Sequence, residues 1–231
     1  MGNICIIPAR GGSKRILRKN IKEFLGKPII AYSIQAAIDS GLFDEVMVST
    51  DDLEIADIAK KYGAKVPFMR SEKNSDDFAT TIEVINEVVK FYKSSNKFFN
   101  YVCCIYPTAP FVTAQKLNKT LGLIKNSGLD TVFPVIRYSF PIQRAMRVFQ
   151  KDLIRMVQPN YINTRSQDLE PTYHDAGQFY WLKTNEALLK NKLWTEKTGF
   201  IEVNELEAQD IDTETDWKIA ELKYQIMKDS E

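Results

Sequence analysis

Histidine is almost missing from this chain: its 231 residues contain one, His174. A His-rich metal cluster is thereby excluded, and a Ser–His or Cys–His nucleophile pair has a single candidate. Cysteine is scarce as well. Cys5, Cys103 and Cys104 each lie inside an apolar run, with no metal-binding spacing and no framework for disulfides, which reads as buried thiols in a reducing compartment. An excess of charge is lacking too, since 31 Lys plus Arg meet 30 Asp plus Glu for a net +1. No global field draws the chain to a nucleic acid or an anionic membrane, so any recognition of a polyanion is local. No apolar run approaches the roughly 18 residues of a membrane span. Met1 leads into a short strand-like stretch rather than a signal peptide, and Ile6 stands where a myristoylation motif needs Ser or Thr. The expectation is a cytoplasmic protein with neither nucleic acid nor membrane as partner.

What is present is an ordinary globular composition, 44% hydrophobic and 26% charged. Short apolar runs alternate with amphipathic segments through Ile136, the rhythm of βα units around a doubly wound, mostly parallel sheet, and hence an α/β fold. Strands are expected at Asn3–Ile7, Glu45–Ser49, Ala64–Phe68, Tyr101–Tyr106 and Thr131–Ile136. Helices are expected at Pro28–Ser40, Leu53–Tyr62, Thr81–Lys93 and Ala114–Asn126, with Pro28 suited to an early helical position. Tyr138–Tyr173 is richer in proline and polar residues, shows no helical period, and reads as an arm that packs on a partner subunit. Regularity returns with a strand at Gly177–Trp181, a helix at Asn185–Lys190, a strand at Phe200–Val203 and a closing helix at Thr213–Met227, with Thr213 as its cap. With no linker or repeat, residues 1–231 read as one domain with residues 138–173 as an embedded arm.

The most informative segment is Pro8-Ala9-Arg10-Gly11-Gly12-Ser13-Lys14-Arg15-Ile16-Leu17-Arg18-Lys19-Asn20, directly after the first strand. From Arg10 to Lys27 the basic residues Arg10, Lys14, Arg15, Arg18, Lys19, Lys22 and Lys27 face a single acid, Glu23. Gly11 and Gly12 allow backbone N–H groups close to an anion, Ser13 adds a hydroxyl, and Arg10, Lys14 and Lys19 suit a triphosphate. The loop lies at a carboxyl strand end, where open α/β sheets bind ligands. It has neither the Walker spacing nor the Gly-x-Gly-x-x-Gly fingerprint, which disfavours a P-loop ATPase and a dinucleotide dehydrogenase. The alternative is a basic, glycine-containing surface turn.

An acidic counterpart stands far along the chain at Asp210-Ile211-Asp212. In extended backbone the two carboxylates share a face roughly 7 Å apart, close enough to hold a hard cation such as Mg²⁺, while Ile211 turns into the core. The alternative is that Asp212 or Thr213 only starts the last helix. Thr50-Asp51-Asp52-Leu53-Glu54 carries two readings: Asp51 and Glu54 as a capping pair, or Asp51 as a phosphorylated aspartate of a phosphatase-like hydrolase. His174 beside Asp175 is either an acid–base pair or a hydrogen-bonding wall residue.

The loop from Pro8 to Lys14, with Lys19-Asn20 behind it, resembles the signature of the acylneuraminate cytidylyltransferases, which join CMP from CTP to a nine-carbon keto acid sugar. The resemblance runs from about Asn3 to Trp217 and implies a Rossmann-like nucleotidyltransferase fold. It puts Arg10, Ser13, Lys14 and Lys19 on the CTP phosphates, Asn20 on the ribose, and Ala9, Gly11 and Gly12 around them. Arg70, with Asp76 and Thr80, resembles the region that reads cytosine. Asp210 and Asp212 match the metal motif, so Arg10, Lys19 and Asp212 are the implied catalytic residues and Mg²⁺ or another divalent cation the implied cofactor.

Tyr106-Pro107-Thr108-Ala109-Pro110 departs from the sialic-acid-specific pattern, with Tyr106 where that pattern has Gln and Val112 where it has Arg. Asn163–Asp168 and His174–Trp181 are similar to the branch that activates pseudaminic acid. Tyr106, Thr108, Arg165, Gln167, Asp175 and Gln178 are the implied sugar-binding residues, with Arg165 suited to the sugar carboxylate. A homodimer whose arms exchange, bringing Arg165 and Gln167 into the neighbouring site, is the implied assembly. N-acetylneuraminate and legionaminate are the alternative acceptors, and a nucleotide-binding regulator without turnover is the alternative outside the class.

Overall fold

The first apolar run forms strand β1 (Gly2–Pro8), whose Ile4, Cys5, Ile6 and Ile7 are buried on both faces, as a strand covered by helices on each side requires. In the computed structural model, which describes residues 2–229, a small hairpin follows, β2 (Glu23–Phe24) and β3 (Lys27–Pro28). Next come helix α1 (Ile30–Asp39), β4 (Glu45–Ser49), α2 (Leu53–Lys61), α3 (Thr81–Ser94), β5 (Phe99–Ile105), α4 (Ala114–Asn126) and β6 (Thr131–Arg137). The second half adds β7 (Met146–Gln150), β8 (Leu153–Met156), β9 (Tyr173–Asp175), β10 (Phe179–Lys183), α5 (Thr184–Lys190), β11 (Thr198–Glu202) and α6 (Glu214–Asp229).

The main sheet has the order β11-β6-β10-β5-β1-β4, with β9 beside β6. β1 is parallel to both β4 and β5, and β11 to β6, whereas β10 runs antiparallel between β5 and β6. The doubly wound, parallel-dominated α/β expectation holds, with reversed strands β10 and β9. From β1 the chain goes to β4 on one side and then to β5 on the other, so the crevice of a topological switch opens between the loops after β1 and β5. Ile34 of α1, Ile55 of α2 and Leu117 of α4 cover one face, packing with Cys5, Ile7 and Trp181. Ile85 and Val88 of α3 cover the other, over Ile4, Ile6 and Val102. A third apolar cluster lies outside the sheet: Ile16 from the basic loop, Phe24 and Ile29 from the hairpin region, and Ile211 and Trp217 from the C-terminal segment. The rings of Phe24 and Trp217 meet edge to face at 5.6 Å.

Some local expectations need correction. Ala64–Phe68 is not a strand. Lys65 alone bridges β4, donating to the Val46 carbonyl and accepting from the Val48 N–H, both at 2.9 Å, and Pro67 has no N–H with which to extend the pairing. Pro28 belongs to β3 rather than to the first helix, which begins at Ile30, because Leu25 and Gly26 at φ 47 and 90 turn the chain into a hairpin first. The arm region contains a second hairpin, β7 paired with β8 through a turn where Asp152 has φ 64, and all of β7 is exposed. The cap of α2 is Asp52 rather than Asp51: with extended backbone at φ −120 it accepts from the Ile55 N–H at 3.0 Å. Asp52 also receives the Arg18 guanidinium, whose second Nη bonds it at 2.9 Å and Glu54 at 2.5 Å.

The Arg18 hydrogen bond pulls the Asp52 carboxyl down to about 2, so the folded state binds its proton more weakly than the unfolded state does. Asp52→Ala is expected to destabilise the chain by about 1–2 kcal/mol at neutral pH, through the lost cap and the lost pair with Arg18, which keeps only Glu54. The difference between wild type and variant is full above the ordinary aspartate range. It shrinks as the pH falls from there toward about 2, which denaturant melts across that window measure.

Candidate functional site

The carboxyl ends of β1, β4 and β5 and the amino end of β10 share one edge of the sheet, and the loops there enclose a cleft of about 500 Å³. It is lined by Arg10, Ser13, Lys14, Arg15, Lys19 and Asn20 of the first loop, by Arg70, Asp77 and Thr81, by Tyr106 and Thr108, and by Asp212.

The loop is held from outside the cleft. The Ala9 N–H donates to the Ser49 carbonyl at 2.9 Å, and the Gly11 N–H donates to Asp51 Oδ1 at 2.9 Å. Asn20, nearly buried, donates from Nδ2 to the Arg10 carbonyl at 2.9 Å. Ala9, Gly11 and Asn20 thus shape the loop, and Asp51 is its anchor. A Cβ at Gly11 would stand 2.6 Å from Asp52 Oδ2, whereas one at Gly12 would meet nothing within 4 Å. Arg18 is spent on Asp52 and Glu54. The charged and hydroxyl side chains of the loop that line the cleft are those of Arg10, Ser13, Lys14, Arg15 and Lys19, with Asn20 beside them.

The acidic segment arrives beside them. Ile211 is buried in the third cluster as its pattern predicts, which turns its neighbours outward. Thr213 and Asp216 form the helix cap: Asp216 Oδ2 accepts the N–H groups of Asp212 and Thr213 at 3.1 and 2.7 Å, and Thr213 Oγ1 accepts the Asp216 N–H at 3.2 Å. The Asp210 and Asp212 carboxylates are therefore free of capping duty. Asp212 faces Arg15 at 3.0 Å and Lys19 at 3.6 Å, and Lys19 Nζ donates to the Ile211 carbonyl at 2.6 Å. Asp210 lies next to Gly177, and its carboxyl is pushed above the ordinary range by desolvation and by the nearby Asp212 charge. Among the described residues no group of three or more His, Cys, Asp or Glu gathers for a metal. The two interacting carboxylates still fit a hard divalent cation, which takes one or two carboxylates and completes its shell with phosphate oxygens and water.

Arg70 is no surface ion-pair residue. It is 7% exposed, donates from Nε to Ser49 Oγ at 3.0 Å and from Nη2 to the Ser49 carbonyl, and burial lowers its pKa. Asp76 and Thr80 do not line the cleft. Asp76 Oδ1 accepts the Phe78 and Ala79 N–H groups at 2.9 and 2.7 Å, and Thr80 pairs with Glu83 to cap α3. Thr81 and Tyr106 also line an adjoining pocket of about 420 Å³ together with Asp175, Tyr180, Lys192 and Trp194. There Asp175 accepts from the Tyr180 hydroxyl and, at 2.9 Å, from the Gly177 N–H. The ring of Trp194 stacks on Phe133 at 5.2 Å.

Gln178 lies beneath the surface, 1% exposed, with Nε2 on the Glu207 carbonyl at 2.6 Å and Oε1 without a partner. Within the chain Arg165 and Gln167 do not reach the cleft. Arg165 pairs with Asp168 at 2.7 Å, and Gln167 lines a separate groove with Arg137 and Glu202. His174 Nδ1 is 2.9 Å from the Asp175 backbone oxygen, not its carboxylate, so the neighbours form no acid–base dyad. Sequence reasoning missed Arg15, Asp77, Lys192 and Trp194. Arg15 and Asp77 carried a signal, as charges inside segments already singled out; Trp194 carried none.

The cytidylyltransferase family matches residues 4–215. The pseudaminic acid cytidylyltransferase of Campylobacter jejuni subsp. jejuni serotype O:2 is 40% identical over 230 residues, which cover 100% of this chain and 99% of that protein. The CMP-N,N'-diacetyllegionaminic acid synthase of Legionella pneumophila is 32% identical over 235 residues, covering 98% of each. A solved structure of CMP:2-keto-3-deoxy-manno-octonic acid synthetase complexed with CTP superposes with a TM-score of 0.70 at 16% identity, covering 99% of this chain and 100% of that one, a likeness of fold.

The contrast between the two loop glycines is directly testable. Gly11→Ala is expected to cost about 1–3 kcal/mol, because the methyl enters the space of the held Asp52 carboxylate, whereas Gly12→Ala changes stability by no more than about 0.5 kcal/mol. Parallel thermal melts compare the two.

Proposed function

The chain belongs to the cytidylyltransferase family, and from that premise we propose that it activates a nonulosonic acid, pseudaminic acid first among them, with CTP, giving the CMP-sugar and pyrophosphate. The observation that carries this reading is the meeting of Arg10, Lys14 and Lys19 with Asp212 in one cleft at the switch point of the sheet. The anomeric hydroxyl oxygen bonds to the α-phosphorus as the bond to the bridging oxygen breaks, and pyrophosphate leaves. The hydroxyl proton passes to Asp212 or to water. Such a transfer rests on positioning and charge stabilisation, with no covalent enzyme intermediate.

Arg10, Ser13, Lys14 and Lys19 hold the phosphates and offset charge developing on the leaving group. The buried Arg70, fixed on Ser49, presents a rigid donor to the base, and cytosine offers the carbonyl and ring-nitrogen acceptors that suit it. Asp210 and Asp212 would hold a divalent cation, which when bound neutralises phosphate charge and polarises the attacking hydroxyl. The sugar occupies the Tyr106 side of the cleft and the adjoining pocket, where Asp175 and Thr108 supply polar contacts and Trp194 an apolar wall. Val112, where the sialic-acid-specific pattern carries Arg, is 5% exposed in the core and offers no charge to an acceptor. That absence and the Campylobacter relative support pseudaminic acid over its alternatives.

Residues 1–231 act as one catalytic domain, and residues 138–173 as the arm of a homodimer. Phe140, Val148, Ile154 and Ile162 are 84%, 77%, 63% and 60% exposed, and Val148 faces Ile154 across the hairpin, apolar surface that a partner subunit would cover. A second copy seated there brings Arg165 toward the sugar carboxylate of the neighbouring site. Among the described residues no helix is long and apolar enough to cross a membrane, and the buried, unpaired Cys5, Cys103 and Cys104 suit a reducing cytoplasm.

A panel of pseudaminic, N-acetylneuraminic and legionaminic acids with CTP, read as pyrophosphate release, is expected to show metal-dependent turnover highest with pseudaminic acid. Lys19→Ala is expected to lower turnover by roughly 100-fold or more at saturating CTP; near-normal turnover would remove Lys19 from the mechanism. Neither Arg165→Ala nor Lys19→Ala is expected to turn over well alone. Mixing them is expected to recover up to roughly a quarter of wild-type activity, because a mixed dimer keeps one intact composite site. Absence of recovery argues that Arg165 does not act across the dimer.

A further inference from the structure

Two cations of the phosphate loop share one carboxylate. Asp77 Oδ1 accepts from Arg10 Nη1 at 2.9 Å, Asp77 Oδ2 accepts from Lys14 Nζ, and Arg10 Nη1 also bonds the Asp76 carbonyl at 2.8 Å. The geometry is built rather than casual. Asp76 closes a turn on the Phe78 and Ala79 N–H groups, and that turn aims Asp77 and Ala79 into the cleft. The two oxygens of this carboxylate occupy Arg10 Nη1 and Lys14 Nζ, on two side chains that line the cleft and that the proposed reaction assigns to phosphate oxygens.

We propose that Asp77 is an internal competitor for the triphosphate and pyrophosphate: polyphosphate binding displaces it from Arg10 and Lys14, and its return helps expel the product. The inference rests on the proposed placement of the phosphates in this cleft. Its physical basis is the contrast between two sets of ion pairs on one loop. Arg18 with Asp52 is half-buried and doubly bonded, and Asp52 also caps α2, so that pair holds the fold. Arg10 and Lys14 are 36% and 76% exposed in their side chains, and Asp77 is 42% exposed, so their pairs are solvent-screened and exchangeable. Asp77 is ionised throughout the neutral range, since Lys14 and Arg10 hold its carboxyl below the ordinary value. A polyphosphate of several negative charges wins both cations from a single carboxylate, at an affinity lowered by the contest. Without Asp77 the loop keeps a tighter grip on substrate and product.

The test uses Asp77→Asn and Asp77→Ser in the full chain, titrated calorimetrically with inorganic pyrophosphate and, separately, with CTP. Both variants are expected to bind pyrophosphate roughly threefold to tenfold more tightly than wild type, the size of effect that loss of two exposed ion pairs permits. The gain narrows as salt rises. In steady state the KM for CTP falls, pyrophosphate inhibits at lower concentration, and kcat does not rise. A contact that merely shaped the loop would move affinity the other way. Unchanged or weaker pyrophosphate binding in both variants overturns the inference. Wild type that binds pyrophosphate but not CTP overturns the nucleotide reading and leaves the competition intact; wild type that binds CTP without any gain in the variants does the reverse.

Discussion

The cleft depends on a small apolar cluster that lies outside the sheet. Ile16, Phe24, Ile29, Ile211 and Trp217 pack together, and each fully buried large side chain is worth about 1.5–3 kcal/mol. An exposed ion pair contributes about 0–1 kcal/mol. The attraction between the basic loop and the acidic segment is therefore too weak to bring them together across the chain, and the apolar contact does so. Ile16 follows Arg15, and Ile211 stands between Asp210 and Asp212. Burying the isoleucines turns their charged neighbours to the open side, where Arg15 and Lys19 meet Asp212.

The near-zero net charge is resolved by this arrangement into paired local sets. Arg18 is neutralised by Asp52 and Glu54 at the root of the loop, Arg10 and Lys14 by Asp77 at its mouth, and Arg15 and Lys19 by Asp212 across the cleft. Bonding separates the role of the root set from that of the set at the mouth. Arg18 ties the loop to the Asp52 cap of α2 and is part of the fold, whereas Arg10 and Lys14 meet Asp77 where the pairs are open to water and to exchange. A loop with so many cations can stay ordered because each side chain has a partner of opposite charge within its reach.

How much of this was legible in the sequence follows from the range of the interactions. Helix α4 and the strands β4 and β6 are set by local periodicity and lie where the pattern put them. Asp-Ile-Asp was legible because alternation alone sends Ile211 inward. The β7–β8 hairpin escaped because it buries no face of its own, so no hydrophobic alternation against a core marked it. Asp76, Thr80, Asn20 and Gln178 lie close to the site as expected, but their side chains are used by turns, caps and carbonyls that only the folded backbone presents. Trp194 reaches the adjoining pocket from a polar stretch through its stacking on Phe133, a long-range contact with no local trace.

The bond from Lys19 to the Ile211 carbonyl joins residues 192 positions apart. Translation delivers these partners far apart in time, the basic loop well before the segment that completes the cleft. A nascent chain still lacking Asp210–Trp217 carries a cationic loop without its acidic partner and without Ile211 or Trp217 to seat Ile16 and Phe24. The cleft is thus completed only when that segment docks, in one event, and a chain still without it holds no half-working cleft.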